Sequence, residues 1–166
     1  MADLVGGNVD VCFDTFTVAP ETMALMRRLV TNGEYAAFIR DGGYRKPSLW
    51  LSEGWAAVQG QGWQAPLYWH LEGDEPVSCF GLRGKQAWNA DHPVCHLSFF
   101  EAAACAEWTG ARLPTEFEWE AAARHSDGRV MTDLFGSAWQ WTRSSYDPYP
   151  RFKPFSGAAG EYNGKF

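Results

Sequence analysis

The sequence has no long apolar run and no strong basic character, and both absences narrow its function. No stretch approaches the roughly 18 apolar residues of a membrane-spanning helix, so no membrane partner is expected. Residues 1–10 contain no basic region followed by an apolar stretch, so we expect a cytoplasmic protein. Lysine and arginine number 14 against 20 acidic residues, a formal charge of −6, and the basic residues are scattered. This pattern argues against nucleic acid as a partner.

Paired cysteine motifs are also missing. The four cysteines are Cys12, Cys79, Cys95 and Cys105. Because they are far apart and form no CxxC pair, neither a zinc ribbon nor a thioredoxin-like motif is predicted. We interpret them as isolated buried thiols.

Aromatic residues are abundant instead. The 166 residues include nine tryptophans, six tyrosines and eleven phenylalanines, which together make 16% of the chain. Such large rings fill the space between irregular segments, and they also line ligand pockets. The composition leaves both roles open for any single tryptophan.

Three short helices are predicted from one repeated pattern, a Ser or Thr followed three residues later by Glu. In this capping box the hydroxyl accepts a hydrogen bond from a helix N–H, and the carboxylate reaches back to the cap residue's own N–H. The three pairs are Thr31 with Glu34, Ser98 with Glu101, and Thr115 with Glu118. We expect the first helix to end at residues 42–43, the second at Trp108 and the third near Arg124.

The rest of the chain predicts short strands and long loops. Residues 41–64 show no sustained period of 2 or 3.6 and are interpreted as loop. Short strands are predicted at 66–70 and 77–80, around a turn at 72–74, and again at 94–97. The predicted fold class is α+β, with loops that outweigh the regular structure. A fold class alone does not give a function.

One segment is specific enough to indicate a family. Residues 112–120, Arg-Leu-Pro-Thr-Glu-Phe-Glu-Trp-Glu, resemble the hallmark of the formylglycine-generating-enzyme-like, or sulfatase-modifying factor, superfamily. Residues 30–35 resemble its first helix start, and residues 94–108 resemble the strand and helix before the hallmark. Residues 138–142 are similar to the next landmark, although Ala138 departs from the more usual Asn-Val. The resemblance implies a C-type-lectin-related fold, loop-rich with short helices and short antiparallel strands.

Within this superfamily the sequence most resembles the sulfoxide synthases of ergothioneine biosynthesis, the hercynine oxygenases. The segments that carry this resemblance are 41–44, 49–55, 65–69, 146–150 and 160–166. They span most of residues 30–166, whereas residues 1–29 match poorly. We therefore expect a partial formylglycine-generating-enzyme-like domain at 30–166, preceded by a poorly matching segment at 1–29.

The resemblance implies an enzyme that uses Fe(II) and O₂ to join a thiol to trimethylhistidine (hercynine). The sequence does not decide whether the thiol is cysteine or γ-glutamylcysteine. In the family, three histidines of an N-terminal DinB-like helical domain hold the iron, and the family continues beyond the segment that ends here at Phe166. We expect a module that is incomplete at both ends, binds no iron or other cofactor alone, is inactive alone, and has the missing DinB-like domain as its partner.

Tyr146 and Tyr149 are the candidate catalytic residues. The resemblance implies that a tyrosine of this segment lies beside the iron and donates a proton that steers the reaction toward the sulfoxide. A phenol suits this task because its O–H can donate while its ring packs against apolar walls. Two aromatic residues that simply pack in a proline-rich loop would explain the same sequence. The resemblance favours catalysis for at least one of them, and Tyr146 is the first choice.

No metal ligands are predicted in this chain. The four histidines are His70, His92, His96 and His125. The closest two are four residues apart, but Pro93 lies between them, and they should not share a helical face. Formylglycine-generating enzymes themselves rely on a reactive cysteine pair close to the C-terminus, and this chain has no such pair.

Two further groups of polar residues are interpreted as structural. Glu116, Glu118 and Glu120 lie in the first turns of a capped helix, where they favour the cap and the helix dipole rather than acid–base chemistry. Residues 143–145 are not counted among the site residues, because an arginine in a loop is usually solvated.

Two functions remain open. The chain either contributes a wall of the active site of an ergothioneine-type oxygenase, or it is a non-catalytic, lectin-like binding or interaction module on the same scaffold. The missing iron ligands favour the second function for this polypeptide alone. The retained tyrosines favour the first for its parent enzyme.

Overall fold

The computed structural model of the chain describes residues 7–11, 14–18, 28–125, 133–145, 152–153 and 156–158. Its elements are, in chain order, β1 (Gly7–Val11), β2 (Asp14–Val18), α1 (Asn32–Arg40), two 3₁₀ helices (Gly43–Arg45 and Pro47–Leu49), α2 (Ser52–Gln61), β3 (Trp69–Glu72), β4 (Glu75–Gly81), β5 (Gly84–Ala87), α3 (Phe99–Trp108) and α4 (Glu116–His125). Short helices, short antiparallel strands and long connections confirm the predicted loop-rich α+β class.

The chain folds as two units. The first comprises Met1–Leu25, Pro114–Asp127 and Thr142–Phe166, and the second comprises Met26–Leu113 and Gly128–Trp141. The first unit contains the antiparallel hairpin β1–β2 and helix α4. The second contains α1, α2, α3 and the antiparallel sheet β3–β4–β5. Within the described residues, no helix has the length and apolar character needed to cross a membrane.

The three helices predicted from capping boxes begin as expected. At the start of α1, Oγ1 of Thr31 accepts a 3.3 Å hydrogen bond from the Glu34 N–H, and Oε2 of Glu34 accepts a 2.9 Å bond from the Thr31 N–H. The same reciprocal bonds start α3 and α4. Gly42 and Gly110, both at positive φ, follow closely after the ends of α1 and α3. Local sequence therefore decides where these helices start and where α1 and α3 stop.

Helix α2 and the two 3₁₀ helices show that the prediction of a loop at residues 41–64 is wrong. In the described structure no side chain caps the start of α2 at Leu51, and its sequence contains Gly54 and Gly60, which are weak helix formers. Packing stabilises α2 instead. Gly54 lies so close to α3 that a Cβ added to it would be 2.7 Å from Cβ of Phe100. Contacts between residues distant in sequence decide this helix, and local patterns miss it.

The third strand of the sheet is also not where the sequence predicts it. It is β5, Gly84–Ala87, rather than residues 94–97. His96 has a φ of 64°, which lies outside the extended region and interrupts a strand at this point. Val94 instead donates a 2.9 Å hydrogen bond to the carbonyl of Val30.

Strand β3 begins three residues later than predicted. Tyr68 has a φ of 73°, and the Trp69 N–H closes a turn onto the carbonyl of Pro66 at 3.1 Å. Extended backbone therefore starts only at Trp69. Gly73, at φ 65°, lies in the predicted turn between β3 and β4, where a side chain would be strained.

The core of the second unit is built largely from aromatic rings. Tyr35 and Phe38 of α1 are fully buried, and Tyr44 and Trp50 are nearly so. The ring centroid of Phe38 lies 5.7 Å from Tyr44, 6.4 Å from Trp50 and 5.8 Å from Trp108. These rings fill the space between α1, α3 and the 3₁₀ helices, so for these residues packing accounts for the high aromatic content.

Candidate functional site

The two predicted catalytic residues, Tyr146 and Tyr149, lie outside the described residues. Residues 142–145 immediately precede them, belong to the same unit and are described. The candidate site is therefore built from the contacts of residues 142–145 and of the hallmark segment at 114–120.

Residues 142–145 are hydrogen-bonded to the start of α4. The Arg143 N–H donates to the carbonyl of Pro114 at 2.8 Å. The Ser144 hydroxyl oxygen accepts a 3.0 Å hydrogen bond from the Glu116 N–H. Glu116 is the first residue of α4, and an N–H at this helix position has no acceptor within the helix. The hallmark segment thus holds the residues that lead into the predicted tyrosines, and sequence reasoning missed Ser144.

The acidic residues of the hallmark have structural partners. Oε2 of Glu118 accepts a 2.7 Å hydrogen bond from the Thr115 N–H, and the Glu118 N–H donates to Oγ1 of Thr115 at 3.2 Å. Glu120 pairs with Arg124 one turn later, at 2.7 Å. The prediction that Glu118 serves the helix cap is confirmed.

A different pair of tyrosines lies in the core of the second unit. The Tyr44 hydroxyl donates a 2.6 Å hydrogen bond to Oε1 of Glu101 and lies 3.0 Å from the Tyr35 hydroxyl. Burial raises the pKa of both phenols above the usual value of 10.0, so both stay protonated at neutral pH. Oε2 of Glu101 accepts a 2.7 Å bond from the Ser98 N–H. All three side chains are buried, and their hydrogen bonds join α1, the first 3₁₀ helix and α3.

The second unit also has a cleft of about 510 Å³. Its apolar and aromatic walls come from α1, α2 and the segments that follow them, and they include Ile39, Tyr44, Trp55, Val58 and Trp63. The residues come from separate elements, so no local sequence signal indicates the cleft.

Two opposite charges meet at the rim of this cleft. Arg45 donates two hydrogen bonds to the carboxylate of Asp74, at 3.1 and 3.0 Å. Since these charges pair with each other, the rim favours neither a cationic nor an anionic ligand.

The described residues contain no cluster of side chains that could hold a metal ion. In that part of the chain, no three or more His, Cys, Asp or Glu residues are grouped so that they could hold a metal. The His96 ring packs edge-on against the ring of Tyr68, with centroids 5.1 Å apart. The described residues do not fit an iron centre. That the chain alone binds no iron stays a prediction.

The described cysteines are free thiols that differ in burial. Cys105 is buried, while Cys79 and Cys95 are partly buried. Burial raises the pKa of the Cys105 thiol to about 12 and also raises that of Cys95. A reactive cysteine needs a lowered pKa, so neither of these two thiols has the properties of a nucleophile at neutral pH.

Comparisons with known proteins agree with the sequence resemblance. A family model described as the sulfatase-modifying factor enzyme 1-like domain matches residues 6–132. The hercynine oxygenases of Mycolicibacterium smegmatis and Mycobacterium tuberculosis are 35% and 33% identical to the chain in alignments that cover 75% of this chain and 38% of each relative. The formylglycine-generating enzyme of Streptomyces coelicolor is 35% identical in an alignment that covers 57% of this chain and 33% of that relative.

The extent of these matches decides the family. The match spans 38% of the length of the hercynine oxygenases. The predicted division of this chain at residue 30 stays a prediction. The resemblance to the formylglycine-generating-enzyme-like superfamily and, within it, to the hercynine oxygenases is confirmed. Because the family model matches residues 6–132 of 166, the chain belongs to the sulfatase-modifying factor enzyme 1-like domain family.

Proposed function

We propose that the chain is the formylglycine-generating-enzyme-like module of a sulfoxide synthase that acts in the cytoplasm in ergothioneine biosynthesis. The reaction would join a thiol, cysteine or γ-glutamylcysteine, to hercynine with Fe(II) and O₂. The observation that carries this proposal is the identity of 33% to 35% with two hercynine oxygenases over 75% of the chain.

The proposed contribution of this chain is one wall of the active site. As the resemblance to the sulfoxide synthases implies, a DinB-like helical domain would hold the iron under this proposal. Under this proposal the module is inactive alone. It binds and orients hercynine and the thiol against the residues that follow the hallmark helix α4.

Tyr146 is the proposed proton donor, and Tyr149 is the second choice for the same role. A phenol O–H holds its proton at neutral pH and can release it to a basic atom within hydrogen-bond reach. The described residues just before Tyr146 are bonded to the start of α4 through Ser144. Tyr35 and Tyr44 are less suitable, since both are buried and the Tyr44 hydroxyl is already bonded to Glu101 and to the Tyr35 hydroxyl.

The second candidate function is a non-catalytic binding module. The aromatic cleft of about 510 Å³ favours it, because clefts of this size and lining commonly hold small molecules. The two functions differ in one respect that can be measured, which is whether the module supports sulfoxide formation when it is joined to an iron-binding domain.

A chimeric enzyme tests the proposal. Residues 30–166 replace the matching segment of the Mycolicibacterium smegmatis hercynine oxygenase, and sulfoxide products are measured by mass spectrometry with hercynine, Fe(II), O₂ and each thiol in turn. We expect sulfoxide with at least one thiol. A chimera with the corresponding segment of the Streptomyces coelicolor formylglycine-generating enzyme shows whether any module of this family supports sulfoxide formation. A folded, iron-loaded chimera that forms no sulfoxide would contradict the proposal and favour the binding module.

A further inference from the structure

The cleft of the second unit combines an apolar surface with a polar rim. Ile39 and Val58 line it and are buried, whereas Gln59 and Gln64 line it and are exposed. All of its lining residues belong to the second unit. A ligand in this cleft therefore meets an apolar surface on one side and hydrogen-bonding groups at its edge.

Helix α2 supplies one wall of the cleft through the spacing of its residues. Trp55, Val58 and Gln59 recur at helical spacing, so they share one face of α2. Gly62, at φ 67°, ends the helix, and the Trp63 N–H donates back to the Val58 carbonyl at 3.1 Å. This turn brings Trp63 to the same cleft as Trp55.

The two tryptophans of this wall each offer a partly exposed ring. Trp55 and Trp63 are half-buried and pack against the aromatic core. The Trp63 indole N–H donates to Oε1 of Gln61 at 3.1 Å, which restrains the ring. The face of an aromatic ring is negative, so it attracts C–H groups, which are slightly positive. Sugar rings present such C–H groups on their faces and carry hydroxyl groups around their edges.

An ion pair at the rim favours a ligand without charge. Arg45 and Asp74 are joined by two hydrogen bonds, and Arg40 pairs with Glu75 of the same turn at 3.2 Å. A charged ligand would gain one member of the Arg45–Asp74 pair only by competing with the other. A neutral ligand leaves the pair intact, and an arginine has more N–H donors than these two bonds use. The rim can therefore donate to a hydroxyl group without losing its own contacts.

The open side of the cleft distinguishes a sugar from a flat heterocycle. Gln59, Gly62 and Gln64 are exposed, so a bound ligand keeps one face in water. A flat heterocycle is apolar on both faces and would leave one of them hydrated. A sugar directs its C–H groups to the indoles and its hydroxyl groups to water. Each glutamine amide offers a donor and an acceptor, and each hydroxyl group does the same.

We propose that this cleft binds a neutral saccharide, which packs on Trp55 and Trp63 and forms hydrogen bonds with Gln59, Gln64 and Arg45. Its volume of about 510 Å³ is typical of small-molecule sites. The inference does not rest on the sulfoxide synthase function. It names a ligand class for the cleft that favours the second candidate function.

Two substitutions in the cleft have matched controls elsewhere in the second unit. Trp55→Phe keeps an aromatic ring but reduces its area, and Gln59→Ala removes an exposed amide without touching the core. Trp139→Ala removes a fully exposed tryptophan that does not line the cleft. Gln86→Ala removes an exposed glutamine of β5. Thermal melting checks that each variant is folded, and Gln59→Ala decides the result if Trp55→Phe is not.

Binding is measured on the intact chain by isothermal titration calorimetry, without iron or hercynine. The probes are methyl β-glucoside, cellobiose and N,N′-diacetylchitobiose. Adenosine, choline and glucose 6-phosphate are the flat, cationic and anionic comparators. We expect at least one saccharide to bind with a Kd below about 10 mM and more tightly than any comparator. Trp55→Phe and Gln59→Ala should each weaken this binding by about 2- to 10-fold, and the two controls should leave it unchanged.

Three results would overturn the inference. The first is that no saccharide probe binds with a Kd below about 10 mM. The second is that a comparator binds more tightly than every saccharide, which would make the ligand class wrong. The third is that the cleft variants bind as the parent chain or the controls do, which would place the saccharide elsewhere. Sulfoxide formation by the chimeric enzyme is measured without a saccharide, so failure of either proposal leaves the other standing.

Discussion

The Tyr44 hydroxyl donates a 2.6 Å hydrogen bond to Oε1 of Glu101, a residue 57 positions later in the sequence. The bond joins the 3₁₀ helix after α1 to the first turn of α3. Glu101 is 4% exposed and also accepts the Ser98 N–H, while Tyr44 lies 3.0 Å from the Tyr35 hydroxyl. One carboxyl group thus caps α3 and accepts the hydroxyl of a buried tyrosine.

This bond predicts an unequal response to the removal of two hydroxyl groups. Tyr44→Phe takes a donor from a buried carboxyl, and leaving such a group short of a partner typically costs about 1–3 kcal/mol. Tyr35→Phe removes the hydroxyl that contacts Tyr44 but keeps the bond from Tyr44 to Glu101, so it should cost less. Urea denaturation of both variants measures the difference. A Tyr44→Phe protein as stable as the parent would show that the bond adds nothing.

The same two phenols predict a loss of stability at alkaline pH. Burial raises the pKa of Tyr35 and Tyr44 in the folded state above 10.0, the usual value that applies in the unfolded chain. Their stabilising effect is therefore full below about pH 10 and declines as pH rises further, by about 1.4 kcal/mol per pH unit for each tyrosine. Denaturation at a series of pH values measures this slope. The double variant Tyr35→Phe/Tyr44→Phe should have a flatter profile, and an unchanged slope would contradict the prediction.

Glu34 predicts a loss of stability at acid pH. The bidentate bond from Arg28, at 2.8 Å for both contacts, is the main reason that the pKa of Glu34 falls from 4.5 to about 2. Because the folded pKa is lowered, the stabilisation is present above about pH 4.5 and is lost as pH falls toward 2. Glu34→Gln keeps a capping side chain without the charge and should remove this pH dependence. The matched control is Glu53→Gln, at an exposed glutamate of α2, and an equal response in both variants would refute the role of Arg28.

Two glycines of α2 predict opposite effects of the same substitution. A Cβ at Gly54 would lie 2.7 Å from Cβ of Phe100, and that atom cannot rotate away, so Gly54→Ala should destabilise the chain by about 1–3 kcal/mol. At Gly60 no atom of the described structure, apart from its chain neighbours and the backbone of its own helix, lies within 4 Å of an added Cβ. Gly60→Ala should therefore stabilise the helix by about 0.5–1 kcal/mol. Thermal melting of both proteins tests this, and equal shifts would show that α2 does not pack on α3 in this way.

The elements that the sequence predicted are those decided by neighbouring residues. Thr31 with Glu34 shows why, because both partners of the cap lie within one turn and appear together in the sequence. Helix α2 packs on Phe100, and the Tyr44 hydroxyl bonds to Glu101. Both contacts join residues far apart in the sequence, so neither can be inferred from nearby residues. His96 and Tyr68 adopt positive φ within segments whose pattern predicts extended strands.

Part of the candidate site can also be predicted from the sequence, and part depends on contacts that only the fold makes. The tyrosine segment is predicted from resemblance to a known family, and its residues lie outside the described structure. A serine in a loop carries no signal of its own, so the sequence does not indicate Ser144. Its hydrogen bond to a backbone N–H 28 residues away forms only in the folded chain.

The central claim is that the segment after Ser144 supplies a phenol to sulfoxide chemistry, and one measurement tests it most directly. Tyr146→Phe and Tyr149→Phe are each introduced into the chimeric enzyme, and the rate of sulfoxide formation is compared with that of thiol oxidation. Replacing the proton donor by Phe keeps the ring, so substrate binding should change little while sulfoxide formation falls by about 10²- to 10⁴-fold. We predict this loss for Tyr146→Phe. If both variants form sulfoxide at the parental rate and ratio, the segment is structural and the claim is contradicted.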